Sequence, residues 1–142
     1  MHEVLARENF ARDVGFLSPV FLQSRGWILN QVEMPILDVT FTSATPLRVR
    51  LRCDEWDELP PSVELLKVDG GAYVEGLKGP VFHKDSHPIV GRSWVCMVGY
   101  REYHTYVSHV TDVWAAYRGQ DGMNLSGLLD RLNRAWRKEM GI

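Results

Sequence analysis

The strictest alternation of hydrophobic and polar positions places Leu47, Val49, Leu51 and Cys53 against Arg48, Arg50 and Arg52. This period of two predicts a strand with one dry face and one wet face. Upstream, Leu37, Val39 and Phe41 alternate with Asp38, Thr40 and Thr42 and predict a partner strand, joined through a turn at Ser43–Pro46. Trp27–Val32 predicts a strand before them, so the region from Trp27 to Cys53 reads as an antiparallel meander. Cys53 falls on the dry face and reads as a small buried hydrophobe. Pro60-Pro61 closes the region because proline cannot donate to a ladder. Val63–Val68 predicts one more short strand.

Helical patterns flank the strands. Ser18-Pro19 is a helix start, with serine as cap and proline in the first turn, and Gly26 is the stop. Glu3–Val14 reads as a further helix, although its apolar spacing is poor. Thr111–Arg118 predicts a short helix presenting Trp114 and Tyr117. Asn124 predicts the cap of a longer helix with Leu125, Leu128, Leu129, Leu132 and Trp136 on one face and Arg134, Arg137 and Lys138 towards its C-terminus. Between strands and C-terminal helices, Asp69–Lys84 holds four glycines and a proline and reads as a long irregular excursion. The class is α+β, with one domain over residues 1–142.

Composition narrows the function. The chain has 142 residues, 16 Lys+Arg against 18 Asp+Glu, and a net charge of −2, so no basic field exists to gather phosphates and nucleic-acid binding is disfavoured. The most apolar stretch, Val14–Leu22, is far shorter than the roughly 20 residues that span a bilayer. Met1–Arg12 is charged throughout, unlike a secretory leader. Two cysteines, Cys53 and Cys96, read as thiols rather than a disulfide framework, and the expected compartment is cytoplasmic. The Arg48/Arg50/Arg52 stripe reads as a solvated strand face with Asp38 as partial counter-charge, or as a docking face for an acidic partner.

Groups able to do chemistry crowd into Phe82–His109, which holds Cys96, Glu102 and four of the five histidines: His83, His87, His104 and His109. Three readings fit. Cys96 is a nucleophile, with histidines supplying a base for an incoming amine; its neighbours Val95 and Met97 make a weakly acidified thiol, suited to thioester exchange with a partner. Alternatively, Cys-x5-Glu-x-His-x4-His is a zinc site of mixed ligands, with Glu102 and His104 projecting from one strand face. In the third, Cys96 is buried, His104 is a satisfied polar residue and the clustering is accidental.

The order of features resembles ubiquitin-conjugating (E2) enzymes. Leu59-Pro60-Pro61-Ser62-Val63 looks like their double-proline turn, and His87-Pro88-Ile89 like their His-Pro-Asn motif, with Gly91 and Cys96 following. The resemblance spans Trp27 to Trp136. It implies a UBC-like fold, an antiparallel β-meander with flanking N- and C-terminal helices. It also implies a cysteine that accepts a ubiquitin-like protein from an E1-like activating enzyme and passes it to an acceptor protein, with no cofactor. The stretch Trp94–Trp114 is similar to a bacterial family described as a predicted metal-binding domain for its Cys, Glu, His and His. That family is associated with operons encoding ubiquitin-like conjugation machinery. It implies Cys96, Glu102, His104 and His109 as zinc ligands of a non-catalytic module. One departure from the E2 pattern stands out: Ile89 replaces the asparagine whose amide steadies the oxyanion. His104 or His109 is then the candidate donor, and Glu102, His104 and His109 would position or deprotonate the acceptor.

Overall fold

The helix starts are built as the sequence prescribes. The structure, a computed structural model, describes residues 1–142. Helix α1 (Glu3–Val14) is followed by α2 (Pro19–Arg25), whose cap Ser18 accepts a hydrogen bond from the Phe21 N–H. Gly26 ends α2 in the left-handed conformation, and its carbonyl accepts the Thr42 N–H, which hands the chain to the sheet. Helix α1 has little amphipathic character because its anchor is partly polar. It buries Phe10 and Ala6, but also Asp13, whose Oδ2 accepts the Trp56 indole N–H at 2.8 Å and the Leu125 N–H at 3.3 Å. Asp13 thus ties α1 to the N-terminus of the last helix, where the dipole favours an anion.

Four strands follow: β1 (Trp27–Glu33), β2 (Ile36–Phe41), β3 (Leu47–Arg52) and β4 (Ser62–Leu66), antiparallel throughout and in the order β1-β2-β3-β4. Register follows the predicted alternation. Val39 faces Val49, Leu37 faces Leu51, and Leu51 faces Val63, so the apolar sets stack across the dry face. Cys53 is fully buried beside them. Strand β4 ends at Leu66, two residues short of expectation, because the chain turns back there and the Lys67 N–H donates to the Gly71 carbonyl at 2.7 Å. The glycine-rich excursion is a strap rather than a free loop: Tyr73 and Phe82 pack edge-on against Trp136, and the Lys78 N–H reaches Glu139. It leads to a second, two-stranded sheet, β5 (Phe82–His83) with β6 (Trp94–Val95).

The C-terminal helix, α4 (Leu125–Met140), starts at Asn124, whose side chain accepts the Gly127 N–H. It lays Leu125, Leu128, Leu129, Leu132 and Trp136 into the same core as the sheet. The helix predicted over Thr111–Arg118 is only a 3-10 turn, Trp114–Ala116. Thr111, Asp112 and Val113 are poor helix formers, and Asp112 is engaged elsewhere through its side chain. No helix is long and apolar enough to cross a membrane.

The arginine stripe differs from the solvated face expected. Asp38 is completely buried beneath it, accepting two bonds from Arg48 at 2.9 Å each, one from Arg50 at 3.1 Å and one from Asn30 at 3.0 Å. Burial on its own would raise the Asp38 carboxyl, and these donors outweigh it, holding the group below the usual carboxylate range. Two of the three arginines are therefore structural, and only Arg52 is exposed. A depressed carboxyl contributes stability above the unfolded pKa that disappears as pH falls through the folded one. Asp38→Asn should cost about 1.5–3 kcal/mol at neutral pH, the worth of bonds to a charged group. Urea unfolding at pH 7 and in acid should show that gap closing as pH falls; a gap that widens in acid contradicts the assignment.

Candidate active site

Strand β6 delivers the cysteine. Val95 pairs with Phe82 and points into the core, so the next residue, Cys96, faces outward, fixed by its N–H to the Val81 carbonyl at 2.7 Å. The sulfur is half-buried, and burial raises the thiol above its ordinary pKa, so the resting form is the protonated thiol. One imidazole faces it: Nε2 of His109 lies 3.5 Å from Sγ. Cys53, sealed in the core, is driven much further up by burial and has no such neighbour.

The chain after Cys96 turns sharply at Gly99. Its φ is +99°, and a Cβ there would sit 2.4 Å from Leu128, so the position requires glycine. Residues Arg101–His104 then form one helical turn, α3, not the strand expected of Glu102 and His104. On a strand, positions two apart share a face; on a helix they diverge. Glu102 accordingly turns inward and is fully buried. Its Oε1 accepts the Ser62 hydroxyl at 2.7 Å, the Val63 N–H at 2.8 Å and Arg92 at 3.2 Å. No acceptor protein can reach it, so its proposed part in deprotonation does not hold; it fastens α3 to the start of β4.

His104 is also spoken for. Its Nε2 accepts the Gly99 N–H at 3.1 Å, which makes Nδ1 the protonated nitrogen, donating to the Asp112 carbonyl at 2.6 Å. Burial lowers its pKa and keeps it neutral. With both nitrogens occupied, His104 is neither the oxyanion donor nor the base expected of it. It instead clamps the Gly99 turn to the loop that carries His109. His87 is a second structural imidazole: buried, it donates from Nε2 to the Glu102 carbonyl at 2.8 Å and accepts the Ile89 N–H on Nδ1 at 3.1 Å. Ile89 itself points to solvent. His83 stacks on Trp94 and contacts the Pro80 carbonyl.

The structure therefore brings together Cys96 and His109 and sends Glu102 and His104 elsewhere. Zinc needs three or four converging donors. No group of three His, Cys, Asp or Glu side chains converges anywhere in the chain, and Glu102 and His104 are committed to protein donors and carbonyls. The Cys-Glu-His-His set does not fit a zinc ion in this arrangement.

Two residues that sequence reasoning passed over complete the site. The Tyr103 ring stacks on the His109 imidazole, 4.3 Å between centroids and 15° from parallel. Its hydroxyl donates to Asp112 at 2.6 Å, and the Tyr117 hydroxyl donates to the other oxygen of the same carboxylate at 2.7 Å. These bonds hold Asp112 below the usual carboxylate range and push the Tyr103 phenol up to about 12. The Glu102–Tyr103–His104 sequence carries a local signal for this, since three consecutive polar or aromatic residues on one helical turn must serve three directions. Nothing in the spacing points to Asp112. No family model matches the chain, and no curated protein matches it in sequence.

Proposed function

We propose that this chain is an E2-like transferase with a UBC-like fold, acting in a bacterial ubiquitin-like conjugation pathway with Cys96 as its nucleophile. The observation that carries the reading is the pairing of a partly accessible Cys96 sulfur with a single imidazole at 3.5 Å. The chain order supports it: meander, Pro60-Pro61, His87-Pro88, Cys96, then α3 and α4.

In the first step, the Cys96 proton passes to His109 Nε2 and Sγ attacks the carbonyl of a ubiquitin-like C-terminus held as a thioester by an E1-like enzyme. The new carbon–sulfur bond forms as the old one breaks, and the departing E1 thiolate takes the proton from His109. In the second, a neutral acceptor amine attacks the same carbonyl, and His109 takes the proton that nitrogen sheds as the carbon–nitrogen bond forms. An amide forms, the carbon–sulfur bond to Cys96 breaks, and the Cys96 thiolate recovers the proton. A thiol that rests protonated suits this cycle, because it reacts when a partner presents an activated carbonyl beside the base.

The test uses the full chain and the C-terminal thioester of ubiquitin with a small thiol as donor. The expected product is a covalent adduct cleaved by dithiothreitol and mapped by mass spectrometry to Cys96. Absence of any adduct, or an adduct confined to lysines, removes the proposal.

A further inference from the structure

We propose that Asp112 is the positioning residue of the Cys96–His109 pair, gripping the Tyr103 hydroxyl so that the Tyr103 ring holds the His109 imidazole against the sulfur. The inference deepens the transferase reading, but it concerns the pair's geometry and is tested without any transfer.

His109 lies in a loop of turns between α3 and the Trp114 turn, where Val107 and Val110 are exposed. Its ring makes one polar contact, with Cys96. A side chain so placed rotates about two bonds unless a neighbour stops it. The neighbour on its face is Tyr103, stacked at 4.3 Å; Tyr106 stands further off at 6.0 Å, tilted. Tyr103 is fixed in turn at its far end by Asp112. Asp112 is the most connected group of the region: one carboxylate oxygen takes Tyr103, the other takes Tyr117, and its carbonyl takes the His104 ring. Tyr117 comes from beyond the Trp114 turn and His104 from α3, so Asp112 is fastened from both sides of the loop. The groups facing His109 are thus Cys96, Tyr103 and Tyr106, with His104 and the Asp112 carboxylate behind them.

A misplacement of about 1 Å in such a pair costs up to roughly 10²-fold in rate. The readout is the second-order rate of Cys96 alkylation by iodoacetamide from pH 5 to 10, on the intact protein, with Cys96→Ala as blank. Wild type should alkylate faster near neutrality than His109→Ala, with a differently shaped pH curve. Asp112→Ala and Tyr103→Leu should move the curve to that of His109→Ala, with a loss at pH 7 on the order of tenfold. Tyr103→Phe, which keeps the ring and removes only its anchor, should fall between, and as a one-atom change it serves if Asp112→Ala fails to fold. Wild-type curves for Tyr103→Leu and Tyr103→Phe overturn the proposal, as does a His109→Ala curve identical to wild type. If the curves shift as expected while Cys96 accepts no acyl group from a thioester, the transferase reading fails and the positioning role stands.

Discussion

Cys96→Ala protein should accept no acyl group from a thioester donor, and His109→Ala should accept it on the order of 10²–10⁴ times more slowly than wild type, the range a removed general base costs. The two variants separate bond formation from proton transfer. Cys96→Ala removes the only accessible thiol, because Cys53 is wholly enclosed and its own thiol lies far above the ordinary range. Cys96→Ser should instead trap a slowly formed oxyester that survives dithiothreitol, since a hydroxyl is the weaker nucleophile and an alkoxide the poorer leaving group. His109→Ala should slow loading and discharge together, because one imidazole serves both steps. Rates followed by non-reducing gel over pH 6–9 provide the measurement. The burial-raised Cys96 thiol gives the sign of the pH dependence: with His109 removed, loading should climb with pH throughout the range as thiolate accumulates. A His109→Ala protein that loads at the wild-type rate near neutrality would leave the imbalance between a neutral thiol and its chemistry without a base.

The meander was legible because its signal is periodic and local. Leu47–Cys53 and Leu37–Phe41 alternate, the alternation fixes the face, and the face fixes the register seen in Val39–Val49 and Leu37–Leu51. Helix α4 was legible for the same reason, with Asn124 as cap. The window from Phe82 to His109 was legible as a cluster, but not as a geometry. Glu102 and His104 belong to one face only if the backbone is extended. Whether it is extended depends on the Gly99 turn and on the Arg101 N–H meeting the Pro61 carbonyl, both set by chain far away in sequence. The same holds for Asp38, whose burial under Arg48 and Arg50 is invisible in an alternation pattern that marks its face as wet. Polar residues that fold inward onto polar partners escape hydrophobic periodicity, and in this chain they include Asp13, Asp38, His87 and Glu102.

Glu102 gives the largest expected effect on stability. Glu102→Ala strips the acceptor from Ser62, the Val63 N–H and Arg92 at once, and should cost about 1–3 kcal/mol for each buried donor left without a partner. Glu102→Gln keeps an oxygen for the same donors and should cost less. It also removes a titration, and that provides the sharper check. Burial raises the Glu102 carboxyl above its ordinary pKa, and the bonds from Ser62, Val63 and Arg92 only partly offset it. Its Oε2 has no protein partner, so a proton carried there leaves Oε1 free for all three donors. A carboxyl raised by folding contributes stability below its unfolded pKa that is lost as pH rises through the folded one, opposite in sign to Asp38. The stability of wild type relative to Glu102→Gln should therefore decline with rising pH across that window, by at most about 1.4 kcal/mol per pH unit, and level off above it. Urea midpoints of both proteins between pH 4 and 8 measure the slope. A rising difference would mean that Arg92 dominates and that Glu102 is held as a carboxylate. It would also predict that Arg92→Met is strongly destabilising, because it would leave the buried Glu102 carboxylate without its charged partner.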